Sequence, residues 1–152
     1  MIVALALGLV LSASQFAADA AKDGPRPAMQ KLVEGGDWPR VLGAIRNGAA
    51  DWIALSPELA RGSDAQHGAE LTAALAAALP RAPFDVLAVA DPRRSPVLGI
   101  QAICGAPDGS YSLDAKAAYL AEAREALELL PDVAAIGRAK TVCLRELALA
   151  AP

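Results

Sequence analysis

The side chains in this sequence that could take part in chemistry are one histidine and a glutamate three residues after it. His67 and Glu70 fall on the same face of a predicted helix, within reach of each other. A histidine held by a carboxylate suits a general base, and the pair could also supply half of a metal site. The same spacing is common on exposed helix surfaces, where it has no chemical role. An envelope hydrolase that uses His67 and Glu70 is therefore an alternative function and not the leading one.

Motifs for other chemistry are absent from the sequence. No Gly-x-Ser-x-Gly turn presents a serine nucleophile, and no Gly-x-x-x-x-Gly-Lys loop is available to hold phosphate. Glu122, Glu125 and Glu128 have the spacing of an exposed helix face, with Arg124 among them. We therefore expect no catalytic site, no cofactor and no bound metal, and a non-enzymatic function is favoured.

The two cysteines, Cys104 and Cys143, are predicted to form a disulfide. An even number of cysteines favours a bridge in an exported protein. The bridge would close a loop of about 40 residues, which on the chain-entropy model stabilises the fold by roughly 4 kcal/mol. Two buried free thiols are the alternative. A redox-active pair is less favoured, because no Cys-x-x-Cys sequence occurs.

Trp38 and Trp52 lie near the starts of two neighbouring predicted helices. Tryptophan is enriched among the residues that dominate protein interfaces, so the pair forms a possible interaction surface. The alternative, which we favour, is that both side chains supply bulk to a core that has few other aromatic residues.

The N-terminal segment has the pattern of a cleaved export signal. Residues 2–11 form an unbroken apolar run of about ten residues, which is the length of a signal-peptide core. The small-x-small sequence Ala18-Asp19-Ala20 predicts cleavage after Ala20, and Ser12-Ala13-Ser14 is the weaker alternative. The first basic residue is Lys22, whereas a signal peptide normally begins with one. A membrane anchor is less favoured, because a spanning helix needs about 20 apolar residues.

Charge and composition restrict the class of partner. The formal net charge is −3 at pH 7 and the basic residues are scattered, so no basic surface for nucleic acid is expected. Cleavage would leave about 130 residues, which is the size of a single domain. Because few residues are aromatic, the core must consist mainly of Leu, Val, Ile and Ala, which suits close helix packing.

Helical spacing of apolar residues predicts an all-α domain of about six antiparallel helices joined by short loops. The predicted helices cover 38–47, 51–59, 63–79, 84–90, 113–130 and 133–148. Residues 97–104 could form a helix or a strand, and we favour a helix. The predicted organisation is a signal peptide over 1–20, a flexible lead-in over 21–36 and a helical domain over 37–152. A stack of HEAT-like helical hairpins is one form that this domain could take.

Several short sequences resemble a group of small uncharacterised exported helical proteins of Gram-negative bacteria. They are Asp37-Trp38, Gly62-Ser63-Asp64-Ala65, Ala77-Ala78-Leu79-Pro80, Ile103-Cys104-Gly105 and Val142-Cys143-Leu144. The resemblance covers most of the chain after residue 20. It implies an envelope protein with paired cysteines, and it implies no activity and no functional residues.

The leading functional hypothesis is an exported, non-enzymatic domain that binds another protein, as an adaptor, inhibitor or immunity-type factor would. The expected compartment is the periplasm or the exterior of the cell, and the expected partner is another envelope protein. We expect no nucleic-acid partner and no membrane span after cleavage. A small-ligand carrier with a pocket between helices is a further alternative, beside the hydrolase.

Overall fold

Helices make up almost all of the regular structure. The computed structural model describes residues 11–93, 95–105 and 112–151. In those residues it contains ten helices and no strand, apart from one isolated bridge between Asp91 and Gly99. The helices are α1 (Ala13–Asp23), α2 (Pro25–Glu34), α3 (Trp38–Arg46), α4 (Ala50–Ala54), α5 (Ser56–Gly62), α6 (Ala65–Ala78), α7 (Pro83–Val89), α8 (Ile100–Cys104), α9 (Leu113–Glu128) and α10 (Gly137–Ala150). The predicted all-α fold is confirmed.

The first two helices belong to the core, which corrects the prediction of a flexible lead-in over 21–36. Met29 and Leu32 of α2 are buried, since they lie on one face of that helix. In α1, the Phe16 side chain is fully buried and its ring centroid lies 6.0 Å from that of Trp52 in α4. The helical domain therefore extends toward the N-terminus as far as α1, well before residue 37.

A partly buried ion pair connects α1 to α2, with the Lys31 side chain exposed and the Asp19 side chain shielded. Lys31 Nζ lies 2.8 Å from Asp19 Oδ2, and the Asp19 side chain is only 13% exposed. Gln15 Nε2 donates to the other carboxylate oxygen over 3.1 Å. The two helices are joined at Gly24, whose φ of 94° is open to glycine and costly for most other residues. Cleavage after Ala20 stays a prediction, and the peptide bond between Ala20 and Ala21 lies inside α1. The apolar run over residues 2–11 falls almost entirely within residues 1–10, which lie outside the described part of the chain.

The centre of the domain is built by α3 packed on α6, with α4 packed on α7 beside them. Helix α3 presents Val41, Leu42 and Ile45 to this core because they recur at helical spacing. The predicted helix over 51–59 is divided into α4 and α5 at Leu55, directly before the Ser56-Pro57 sequence. None of the helices in the described ranges has the length and apolar character needed to cross a membrane.

The predicted disulfide is confirmed. Cys104 at the end of α8 is bonded to Cys143 in α10, with 5.3 Å between their α-carbons. Both side chains are fully buried. The bridge holds α10 against α8, while Leu147 in the next turn of α10 is buried on the same side. The C-terminal helices are thereby connected to the central helices both covalently and by packing.

The contact between α2 and α5 depends on the absence of a side chain at Gly62. A β-carbon at Gly62 would lie 2.8 Å from the Met29 β-carbon and closer still to the Pro25 carbonyl oxygen. Gly62→Ala should therefore push α2 away from α5 and lower the free energy of unfolding by about 1–3 kcal/mol. Urea denaturation of the purified protein measures this loss.

Gly43→Ala is the matched control, because a β-carbon there would meet nothing within 4 Å. Gly43 lies inside α3, where alanine is favoured over glycine by about 0.5–1 kcal/mol. The two substitutions should therefore have opposite signs. A Gly62→Ala variant that is as stable as the wild type would contradict the close approach of α2 to α5.

Candidate functional site

A connected group of polar side chains lies where α3 meets the first turns of α6. Trp38 Nε1 donates a hydrogen bond of 2.6 Å to Glu70 Oε2, and Gln66 Nε2 donates one of 3.2 Å to Glu70 Oε1. The His67 ring meets the Trp38 ring edge to face, with 5.8 Å between their centroids and 77° between their planes. Asp64 completes the group through His67. We call these five residues the Trp38–His67 cluster.

Local sequence explains how the cluster is positioned. Asp64 is the N-cap of α6, and its Oδ1 accepts a hydrogen bond of 2.9 Å from the His67 backbone N–H. The first turn that follows places His67 and Glu70 on one face, three residues apart. Trp38 is the first residue of α3, so the packing of α3 on α6 brings its indole to this face.

The three-residue spacing of His67 and Glu70 had suggested that these two side chains form a pair. In the structure the His67 ring is instead hydrogen-bonded to Asp64. The His67 Nδ1 atom lies 2.8 Å from Asp64 Oδ1, whereas both oxygens of Glu70 accept hydrogen bonds from Trp38 and Gln66. The His67 side chain is 21% exposed and that of Asp64 is 66% exposed. The carboxylate that could orient the imidazole is therefore supplied by the helix cap.

The pKa of Glu70 is lowered from its ordinary value of 4.5. The hydrogen bond from Trp38 Nε1 is the largest cause, and the hydrogen bond from Gln66 acts in the same direction. Partial burial acts in the opposite direction and is outweighed. Glu70 is therefore ionised at neutral pH, and it is a hydrogen-bond acceptor within the cluster instead of a proton donor.

An open groove of about 350 Å³ lies beside the cluster, between α2 and the connection from α5 to α6. Its least exposed lining residue is Met29, with Val33 and Gly62 half-buried next to it. The α2 side of the groove carries exposed polar residues one helical turn apart, and the α6 side carries the capping segment with His67. The polar lining residues are Arg26, Gln30, Glu34, Ser63, Asp64 and His67.

The polar groups along the groove bond mainly to one another or to the backbone. Gln30 Nε2 donates a hydrogen bond of 2.8 Å to Glu34 Oε1. Ser63 Oγ donates one of 2.7 Å to the Leu59 carbonyl oxygen, so its proton is directed into α5 and away from His67. Ser63, the serine that lines this groove, is therefore not placed as a nucleophile that His67 could activate.

The structure places Trp38 and Trp52 in the core, so neither offers the exposed interaction surface that was the less favoured interpretation. Trp38 is 5% exposed and Trp52 is 4% exposed. Trp52 packs on Phe16, and Trp38 uses its one polar atom to bind Glu70. The favoured alternative, that they supply bulk to the core, describes both positions. Trp38 still reaches the candidate site, because its ring supports His67.

Metal ligands do not converge in the described ranges, where no three His, Cys, Asp or Glu side chains come close enough to hold an ion. His67 and Asp64 meet as a pair, and the two cysteines are bonded to each other. The site that the described residues form is thus one of hydrogen-bonded polar side chains.

Comparison with known proteins gives no relative for this chain. No protein-family model matches it, and no curated protein or solved structure matches it either. The resemblance to small exported proteins of Gram-negative bacteria stays a prediction.

Replacing Trp38 with phenylalanine should raise the pKa of Glu70 toward 4.5, because it removes the largest cause of the lowered pKa while keeping an aromatic ring. Loss of a hydrogen bond to a charged group should also cost about 1–3 kcal/mol of stability at pH 7. Since the folded pKa is the lower one, this contribution is present above the unfolded pKa and is lost as pH falls through the folded pKa. NMR titration of the Glu70 carboxyl and urea denaturation from pH 7 down to pH 3 measure both effects.

Gln66→Ala is the companion variant, because it removes the weaker of the two hydrogen bonds to Glu70 from an exposed position. It should raise the Glu70 pKa less than Trp38→Phe does. A Glu70 pKa that is the same in the wild type and in Trp38→Phe would contradict the bond between the indole and the carboxylate.

Proposed function

We propose that the protein is an exported, non-enzymatic domain that binds another envelope protein, as an adaptor, inhibitor or immunity-type factor would. The groove between α2 and the start of α6 is its binding surface. The single observation that carries this proposal is the layout of that groove, which has an apolar floor and charged sides. Protein interfaces commonly have this arrangement of an apolar centre and a polar rim.

The charges of the groove indicate the partner segment that would fit it. Arg26 and Glu34 lie two helical turns apart along the α2 side, and Asp64 and His67 lie on the α6 side. The α2 side thus offers one basic and one acidic group, and the α6 side offers the Asp64 carboxylate next to the His67 imidazole. A partner loop or strand that carries charges of both signs around one apolar side chain would be complementary, with that side chain placed over Met29.

Binding is favoured over catalysis because the polar groups of the groove are already engaged. Glu34 accepts from Gln30, Asp64 accepts from His67, and Ser63 donates to the Leu59 carbonyl. Side chains that are held in place by their neighbours lose little conformational freedom when a partner binds. The same engagement leaves no serine placed to act as a nucleophile among the described lining residues.

The periplasm or the cell exterior is the compartment that fits this proposal. A buried disulfide such as Cys104–Cys143 is stable in an oxidising compartment and rare in the cytosol. The apolar run over residues 2–11 supports export on separate grounds, because its length is that of a signal-peptide core.

Site-specific photocrosslinking in intact cells tests the groove. A photoreactive phenylalanine derivative replaces Gln30, which is exposed on the α2 side of the groove. The matched control carries the same residue at Arg138, which is exposed on α10, a helix that packs on α8 and α9. We expect one defined protein adduct from position 30 and none from position 138.

Once the crosslinked adduct has identified the partner, titration of the protein with the purified partner tests the role of the groove charges. Arg26→Glu reverses a charge on the groove side and should weaken binding at least tenfold, which corresponds to about 1.4 kcal/mol. Arg138→Glu makes the same change on α10 and should leave the affinity unchanged. Adducts of equal yield from both positions, or an Arg26→Glu variant that binds like the wild type, would overturn the proposal.

A hydrolase is the second candidate, and the observation that favours it is the bond between His67 Nδ1 and Asp64. A carboxylate on one imidazole nitrogen fixes the tautomer and leaves the other nitrogen to act as a base toward water. His67→Ala should then abolish hydrolysis of an envelope substrate without changing the melting temperature. The small-ligand carrier stays a prediction, which a thermal-shift screen of the purified protein tests.

A further inference from the structure

The segment before α2 contains two sequences that a signal peptidase could recognise. Both Ser12-Ala13-Ser14 and Ala18-Asp19-Ala20 follow the apolar run over 2–11 and have small residues at the first and third positions. The sequence favours the second of them. The fold separates the two, because they differ in how much of α1 each would remove from the mature protein.

Cleavage after Ala20 would take away most of α1, including its buried residues. Phe16 is fully buried against Trp52, and Ala20 is 8% exposed. Asp19 would be lost as the partner of Lys31, and Trp52 would be left without the ring that covers it. A mature chain starting at residue 21 would therefore expose core surface that the domain otherwise keeps from water.

Cleavage after Ser14 would keep those contacts. The chain that remains begins at Gln15, so Phe16 and Asp19 stay in place, and Gln15 itself still bonds to Asp19. The losses are the cap at Ser12, whose Oγ accepts from the Gln15 N–H, and the small buried side chain of Ala13. Leu11, which packs partly buried against the core, is lost as well, together with the hydrogen bond that its carbonyl oxygen accepts from Arg40. The bond also lies at the start of α1, between two residues with exposed side chains.

We propose that a signal peptidase hydrolyses the peptide bond between Ser14 and Gln15. One water molecule is consumed, Ser14 leaves with the leader as a new carboxyl terminus, and Gln15 becomes the new amino terminus. Residues 12–14 are then the recognition sequence, and α1 from Gln15 onward is part of the mature domain. This inference rests on the export proposed above and is independent of the groove.

Mass spectrometry of the protein purified from the envelope of a Gram-negative host tests the site. We expect an N-terminal peptide that begins at Gln15. A mature chain that begins at Ala21 would overturn the cleavage site while leaving export intact. A chain that retains Met1 and stays in the cytoplasm would overturn both the site and the export on which it rests.

Two leucine substitutions provide a matched comparison, because Ser14 and Ala18 are both exposed on α1 and neither substitution disturbs the core. Ser14→Leu places a large residue directly before the proposed bond, so the uncleaved precursor should accumulate in place of the mature protein. Ala18→Leu spoils the competing sequence, and the mature protein should still begin at Gln15, with its mass increased only by the difference between leucine and alanine. A precursor that accumulates with Ala18→Leu, or normal processing with Ser14→Leu, would contradict the assignment.

Discussion

Phe16→Ala is expected to lower the free energy of unfolding by about 3–5 kcal/mol, a large part of the stability of a domain of this size. The Phe16 side chain is fully buried and lies against Trp52, so its removal leaves a cavity between α1 and α4. The loss includes both the transfer free energy of the ring and the cost of that cavity. Urea denaturation, followed by tryptophan fluorescence, measures it.

The chain provides its own control, since its other phenylalanine is exposed. Phe84 in α7 is 44% exposed, so Phe84→Ala should cost less than half as much. Fluorescence should distinguish the two variants as well, because Phe16 touches Trp52. Equal losses for the two substitutions would show that α1 is not packed on the domain.

The role of Phe16 also shows where the sequence was misleading. Residues up to Ala20 were assigned to a leader, so their helical spacing was not used to place core residues. Helix α2 lies inside the predicted flexible lead-in, and its two prolines, Pro25 and Pro27, occupy its first turn, where proline is tolerated. The leader over 1–20 stays a prediction, whereas the flexible lead-in over 21–36 is wrong because Met29 and Leu32 of α2 pack in the core.

Two of the predicted helices lie close to helices of the structure. The predicted helix over 38–47 corresponds to α3, and the one over 113–130 corresponds to α9. Helix α10 starts at Gly137, four residues later than the predicted start at 133, and the Asp132 carboxylate before it accepts a hydrogen bond of 2.9 Å from Lys140 Nζ. The start of a helix is difficult to predict from sequence where the polar side chain before it can form a different hydrogen bond.

The candidate site was predicted in part. The sequence identified His67 and Glu70 because they lie one turn apart, and it marked the helix start at Ser63-Asp64. It could not show that Trp38 binds Glu70, since these residues are 32 positions apart and meet only when α3 packs on α6. The pairing of His67 with Asp64 was predictable, because the side chain of an N-cap residue accepts a hydrogen bond from the backbone N–H three positions later.

Reduction of the Cys104–Cys143 disulfide is expected to lower the free energy of unfolding by about 4 kcal/mol, because the bridge closes a loop with a sequence separation of 39. Most of this effect comes from the unfolded chain, which gains freedom when the bond is broken. Urea denaturation with and without a thiol reductant measures it. Because both side chains are fully buried, samples must be reduced while unfolded and then refolded.

The double variant Cys104→Ala, Cys143→Ala separates the bond from other effects of the reductant. It should be insensitive to reductant, and its stability should fall near or below that of the reduced wild type, since it also loses two buried sulfur atoms. Alkylation of both thiols after unfolding confirms that the wild type has been reduced. If this reduced form were as stable as the oxidised form, the bridge would contribute nothing to the free energy of folding. The packing of α8 on α10 would then hold the C-terminal helices by itself.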